Sequence, residues 1–363
     1  MLQRFEVEGF RNFGKRLVLD FSDTRDYRFN SDALSDGMVK CGIVYGRNAI
    51  GKTNLCNAFF DITANVGRPI ELRDETNYLT ADGIHEEASF LYGFRFGDNS
   101  VEYEYAKASR NSLRSEALRV NGEVAYSYDH IRQSMLGGNL SIIGANSLNW
   151  EFKAPSMSIL NYICNNVPVP QGSSPIFDTY RFVYSMVPIT DAYMSNRSFV
   201  SDISGRIIRR GLVKELETFL KDFGIDESLV VKKVPSGEDV LYFEKSRLVP
   251  FVENCSSGTV ALLRVFNYFQ VVKEPSFLFI DEFDAFYHHD LAEGLVRYFK
   301  QRPNRQVLCA SHNTDLFSNK VLRPDCLFIL TRDKITSAAN ATKRELREGH
   351  NLEKLYKSGE FDG

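Results

Sequence analysis

The chain has 363 residues, 43% of them hydrophobic and 25% charged, a composition that supports folded domains and excludes a low-complexity or disordered chain. With 44 basic against 47 acidic residues the net charge is -3, so no global positive field marks the chain as a nucleic-acid binder. The six cysteines are scattered without metal spacing, the N-terminus carries no leader-like apolar core, and no run approaches the ~18 apolar residues of a membrane span, which points to a reduced, cytoplasmic protein.

The first segments, 3–10 and 17–21, place Phe5 and Val7, then Leu17, Leu19 and Phe21, at alternating positions and predict a hairpin around Asn12-Phe13-Gly14. Residues 22–39, with Asp23, Asp26, Asp32 and Asp36, read as a loop. The apolar run Ile43-Val44-Tyr45 then enters Gly46-Arg47-Asn48-Ala49-Ile50-Gly51-Lys52-Thr53, and residues 53–61, beginning Thr53-Asn54, are helix-like. This is strand, phosphate loop and helix. The two glycines of GxxxxGK[ST] let successive backbone N–H groups turn toward the phosphates of a nucleotide, the lysine reaches the β- and γ-phosphates, and the hydroxyl holds Mg²⁺.

Antiparallel strands follow the helix directly. Residues 88–96 and 101–106 pair across Gly97-Asp98-Asn99, and residues 113–120 and 123–128 pair across Asn121-Gly122. From about 131 to 223 the pattern becomes irregular and mostly helical, with Leu212, Leu216, Phe219, Leu220 and Phe223 sharing one helical face. The aromatic residues there, among them Trp150, Phe152 and Tyr184, are compatible with an interface or with core packing. A further hairpin spans 229–244.

Ser256-Ser257-Gly258-Thr259 precedes an apolar helix over 260–272 and, taken alone, is a capped helix start. The continuous apolar run 276–280 ends in Asp281-Glu282, which puts two carboxylates at the C-terminal edge of a buried parallel strand. There Asp281 can hold Mg²⁺ through water, and Glu282 can orient or deprotonate an attacking water. Residues 306–310 form the next buried strand and end in Ser311-His312-Asn313, where His312 can meet the γ-phosphate or the water. Strands over 326–330 and 334–337, a polar helix over 343–357 and a frayed acidic end complete the chain. The adjacent His288 and His289 have no metal spacing with Glu282.

Together, FEVEGFRNFGK, GRNAIGKT, ENCSSGT, FLFIDEFDAF and CASHNTDLF resemble ABC-type ATPases of the RecF/SMC/OLD-like group. Within it the chain looks most like the small ATPases of bacterial anti-phage systems, such as PARIS-, Septu- or retron-associated ATPases. The resemblance implies an α/β fold: an ABC-type head with a P-loop mixed β-sheet core, an antiparallel β lobe and a mostly helical insertion. Its parts would be 1–128 with the P-loop and antiparallel strands, 129–227 as the insertion, and 228–363 with signature, acidic strand and switch histidine.

The resemblance also implies roles at matching positions. ATP would contact Arg11 and the loop residues Gly46, Arg47, Asn48, Ala49, Ile50, Gly51, Lys52, Thr53 and Asn54. Thr53 and Asp281 would serve Mg²⁺, and Glu282, His312 and Lys52 would serve catalysis. Ser256 and Gly258 correspond to the signature that meets ATP held by a second subunit, and Asp284 falls where the dimer-contact loop begins. Ser257 and Cys255 stand where transporters have glycine and leucine, which fits the RecF/OLD-like branch, and no Q-loop glutamine is evident.

The function expected is therefore an ATP-hydrolysing switch that forms a homo-oligomer through shared ATP sites and controls a protein effector such as a nuclease. With about fifty residues after His312, any nuclease activity is expected in a partner. A slow-turnover scaffold is one alternative. A DNA-gripping head is another, for which Arg206, Arg209, Arg210 and Lys214 are the candidate basic groove.

Overall fold

The computed structural model describes residues 1–70, 77–150, 157–168, 174–190, 197–271, 275–286, 289–303 and 305–361. Phe152 and His288 lie outside the described residues. The N-terminal half runs β1 (Leu2–Glu8), β2 (Leu17–Asp20), β3 (Leu34–Ser35), β4 (Met38–Val39), β5 (Cys41–Tyr45), α1 (Lys52–Asp61), β6 (Ala88–Phe96), β7 (Asn99–Ser109), β8 (Ser112–Val120), β9 (Glu123–Asp129) and β10 (Ser134–Gly137). The middle holds α2 (Ile159–Asn166), α3 (Pro175–Tyr184), β11 (Val187–Ile189), α4 (Arg197–Arg209), α5 (Val213–Asp222), β12 (Leu229–Lys233), β13 (Asp239–Glu244) and β14 (Leu248–Pro250). Then come α6 (Phe251–Asn254), α7 (Ser257–Phe266), β15 (Phe277–Ile280), α8 (Phe283–Phe286), α9 (His289–Lys300), β16 (Gln306–Ser311), β17 (Leu327–Leu330), β18 (Ile335–Ser337), α10 (Ala338–Ala341) and α11 (Leu352–Lys357).

Two sheets dominate. The central one has strand order β11-β15-β16-β5-β17-β18, parallel except for the last pair, and the second is antiparallel in the order β10-β9-β8-β7-β6-β1-β2. The α/β class with a mixed P-loop sheet and an antiparallel lobe is the one expected. Every residue of β5, β15 and β16 is buried, as continuous apolar strands covered on both faces require.

Helix α1 joins the two sheets. Its Phe59 stacks on Phe5 of β1 at 4.2 Å and meets Phe277 and Phe279 of β15 at 5.2 and 5.9 Å, so one ring belongs to both cores. Burying such a ring stabilises by about 1.5–3 kcal/mol, and here that stabilisation fixes the helix carrying the phosphate loop.

Four features depart from the sequence reading. The acidic stretch before β5 is not a bare loop but contains the β3–β4 ribbon, with Leu34 opposite Val39. Strand β11, inside the stretch expected to be mostly helical, pairs in parallel with β15 and forms an edge of the central sheet. The terminal helix is confined to Leu352–Lys357, because Asn351 caps it by accepting from the Lys354 N–H at 2.8 Å. The chain end is not frayed: Phe361 is buried against Phe317 and Tyr356. Among the described residues no helix is long and apolar enough to cross a membrane.

Candidate active site

The phosphate loop turns from β5 into α1 with Ala49 at φ 61° and Gly51 at φ 111°, so that successive loop N–H groups change direction before the helix begins. Gly51 is required twice over. Its φ disfavours any side chain, and a Cβ there would lie 2.4 Å from Asn12 Nδ2. Gly51→Ala should therefore cost about 1–3 kcal/mol in local strain and weaken ATP binding, read as a lowered thermal midpoint and a raised Kd. A glycine-like Kd in the alanine variant would contradict the strained-loop argument.

Inside the loop the Lys52 ammonium donates to the carbonyls of Gly46 and Arg47 at 2.8 and 3.2 Å. Burial pulls its pKa below the ordinary lysine value, opposed by the carboxylates of Asp281, Asp284 and Glu282. The Thr53 hydroxyl donates to Asp281 Oδ2 at 2.7 Å, linking the loop to the end of β15 across the sheet. Asp281 is buried, whereas Glu282 is exposed at φ 50°. A glutamate in the left-handed region is uncommon.

His312 follows β16 and reaches the same place. A cavity of about 440 Å³ is lined by Asn48, Ala49, Gly51, Lys52, Thr53, Asn54, Asp281, Glu282 and His312. Lys52, Thr53, Asp281, Glu282 and His312, far apart in sequence, thus converge at the C-terminal ends of neighbouring parallel strands, where open α/β sheets bind ligands. This donor set, an ammonium in a glycine-bounded loop beside a hydroxyl–carboxylate pair, fits a nucleotide triphosphate with Mg²⁺.

Arg11 sits beside this cavity. Its guanidinium donates to Asn54 Oδ1 at 3.1 Å, Asn54 donates to Asn12 Oδ1 at 2.6 Å, and Asn12 donates to the Ile50 carbonyl at 3.1 Å. The chain fastens the β1–β2 turn to the phosphate loop. A second cavity, about 630 Å³, adjoins the first through Ala49 and Asn54 and is also lined by Arg11, Asn12, Asn77, Thr80, Asp82 and Arg332. Apart from Arg11 and Asn12, these last residues carry no motif that sequence reading can find.

Ser256 and Gly258 stand elsewhere. Ser256 is exposed and caps α7, its hydroxyl accepting from the Thr259 N–H at 3.1 Å, and neither residue lines the cavity that holds Lys52 and Glu282. Asp284 places its carboxylate against His312 of the same chain. In the basic stretch, Arg209 and Arg210 are exposed, Arg206 is partly buried and Lys214 pairs with Glu217 at 2.7 Å, as on a solvated helix face.

Residues 161–318 match the family model described as "AAA domain, putative AbiEii toxin, Type IV TA system". The matched stretch carries Ser256, Asp281, Glu282 and His312 and begins after the phosphate loop. No curated protein matches the chain. Among solved structures, the SMC head domain from Thermotoga maritima is 14% identical over 93% of this chain and 98% of its own, with a TM-score of 0.46. The SmcHead bound to the C-winged helix domain of ScpA is 13% identical over 93% and 97%, with a TM-score of 0.47. The recombination mediator RecF with ATP is 14% identical over 93% and 99%, with a TM-score of 0.37.

Proposed function

We propose that this chain is an ABC-type switch ATPase that binds ATP with Mg²⁺, closes into a homo-oligomer through shared sites, and opens on hydrolysis to control a protein effector such as a nuclease or toxin in anti-phage defence. The observation that carries the reading is the Thr53–Asp281 hydrogen bond of 2.7 Å, which joins the phosphate loop to the acid pair in a cavity shared with Glu282 and His312. The matched family's description, which names a toxin of a toxin–antitoxin system, supports the defence context.

In this reading the loop N–H groups and Lys52 bind the β- and γ-phosphates. Thr53 and Asp281 hold Mg²⁺, which neutralises phosphate charge when bound. Glu282 takes the proton of the attacking water, and His312 binds a γ-phosphoryl oxygen. Arg11 and the adjoining 630 Å³ cavity take the nucleoside. The exposed Ser256 and the start of α7 complete the site of a neighbouring subunit, since they stand apart from their own cavity.

Mixing two inactive variants tests the shared site. Lys52→Ala and Ser256→Ala should each lack ATPase activity, and an equimolar mixture should regain about a quarter of the wild-type rate, because half the random dimers carry one intact site of two. Full activity of Ser256→Ala alone, or no recovery from two folded variants, would contradict it.

A further inference from the structure

His312 is held from one side by a single buried group. Its ring Nδ1 lies 2.8 Å from Asp284 Oδ2, and its backbone N–H donates to Asp284 Oδ1 at 3.1 Å. The Asp284 side chain is 6% exposed, against 54% for His312. Asp284 is fixed in turn by its neighbour Phe283, which is fully buried. On the histidine side, the preceding Ser311 is buried and its hydroxyl accepts from the Asn313 N–H at 3.0 Å. Both ends of the contact are thus anchored in the core, while the ring itself lines the cavity with Lys52 and Glu282.

We propose that Asp284 is the positioning residue of His312, fixing the ring's orientation and placing its hydrogen on Nδ1, so that Nε2 is the nitrogen left for chemistry in the cavity. An ionised carboxylate can only accept hydrogen bonds. Two oxygens that accept from the main-chain N–H and from Nδ1–H leave a neutral ring one tautomer, with Nε2 an acceptor that becomes a donor once protonated. This is the same division of labour by which a buried carboxylate orients a catalytic imidazole elsewhere. The catalytic consequence rests on the ATPase reading above; the hold on the ring does not.

Asp284→Asn is the isosteric test. The amide oxygen keeps the His312 backbone N–H, its NH₂ then faces Nδ1, and the ring must carry its hydrogen on Nε2 instead. At a pH where the ring is neutral, ¹⁵N ring resonances should show His312 as the Nδ1–H tautomer in the wild type and as Nε2–H in Asp284→Asn. Turnover should fall about tenfold to a hundredfold with KM for ATP within about threefold. In a His312→Ala background, Asp284→Asn should cost nothing further. A wild-type Nε2–H tautomer would overturn the proposal without any variant having to fold. So would an equal loss of turnover from Asp284→Asn with and without His312. If the wild type hydrolyses no ATP, the ATPase reading fails by itself, and the ring resonances still decide whether Asp284 holds His312.

Discussion

Glu282→Gln should lower ATP turnover by about 10²–10⁴-fold while leaving ATP affinity within about threefold. Glu282 is the exposed carboxylate at the end of β15, one residue past the buried Asp281 that receives the Thr53 hydroxyl. On the proposed mechanism, exchanging its oxygen for an amide would remove the base for the water proton and leave Lys52 and the phosphate loop unchanged. Initial-rate phosphate release and equilibrium nucleotide binding, measured on the same preparation, separate the two. A turnover within about threefold of wild type would remove Glu282 from the reaction.

The second large effect is on stability. Asp61 ends α1, where the partial negative charge of a helix C-terminus disfavours an anion. It is held there by Lys107 at 2.6 Å and by the hydroxyls of Tyr105 and Tyr78, each at 2.9 Å. The side chains of Asp61 and Lys107 are 7% and 2% exposed, and burial and the Asp61 charge push the Tyr105 and Tyr78 hydroxyls well above their usual pKa, keeping both as donors. Lys107→Met should therefore cost about 3–5 kcal/mol, because it leaves a buried carboxylate without its cation. Replacing both partners, Asp61→Leu with Lys107→Met, should recover much of the loss. Urea unfolding reads both. Because the Tyr78 main-chain carbonyl also accepts from the Arg11 main-chain N–H at 3.1 Å, the same lesion should loosen the β1–β2 turn beside the phosphate loop. An unchanged midpoint in Lys107→Met would show that the pair does not anchor α1.

The antiparallel lobe was legible because its strands alternate and its turns carry Asn121-Gly122 and Gly97-Asp98-Asn99; β6 to β9 lie within a few residues of the expected spans. Strand β11 was not, since a three-residue Val-Pro-Ile segment has no period and pairs only because β15 is beside it. The terminal helix was overextended because Leu346, buried from a loop, mimics a helical contact with Leu352 and Leu355. Lys52, Thr53, Asp281, Glu282 and His312 each stand in a strand-to-loop motif legible in the sequence, and all five line one cavity. Asn12, the Thr80–Asp82 stretch and Arg332 come from three separate connections, and no local pattern announces that they meet. The Asp284–His312 contact joins residues 28 apart through adjacent parallel strands, a pairing that only the sheet order reveals.

On the proposed function, ATP is held between copies of this chain. Light scattering of Glu282→Gln at micromolar concentration, with and without ATP and Mg²⁺, tests it most directly. A monomer that becomes a dimer or higher ring when ATP is added, and reverts when it is removed, is the predicted result. A mass that stays monomeric with saturating ATP bound would contradict the shared site and the role given to Ser256.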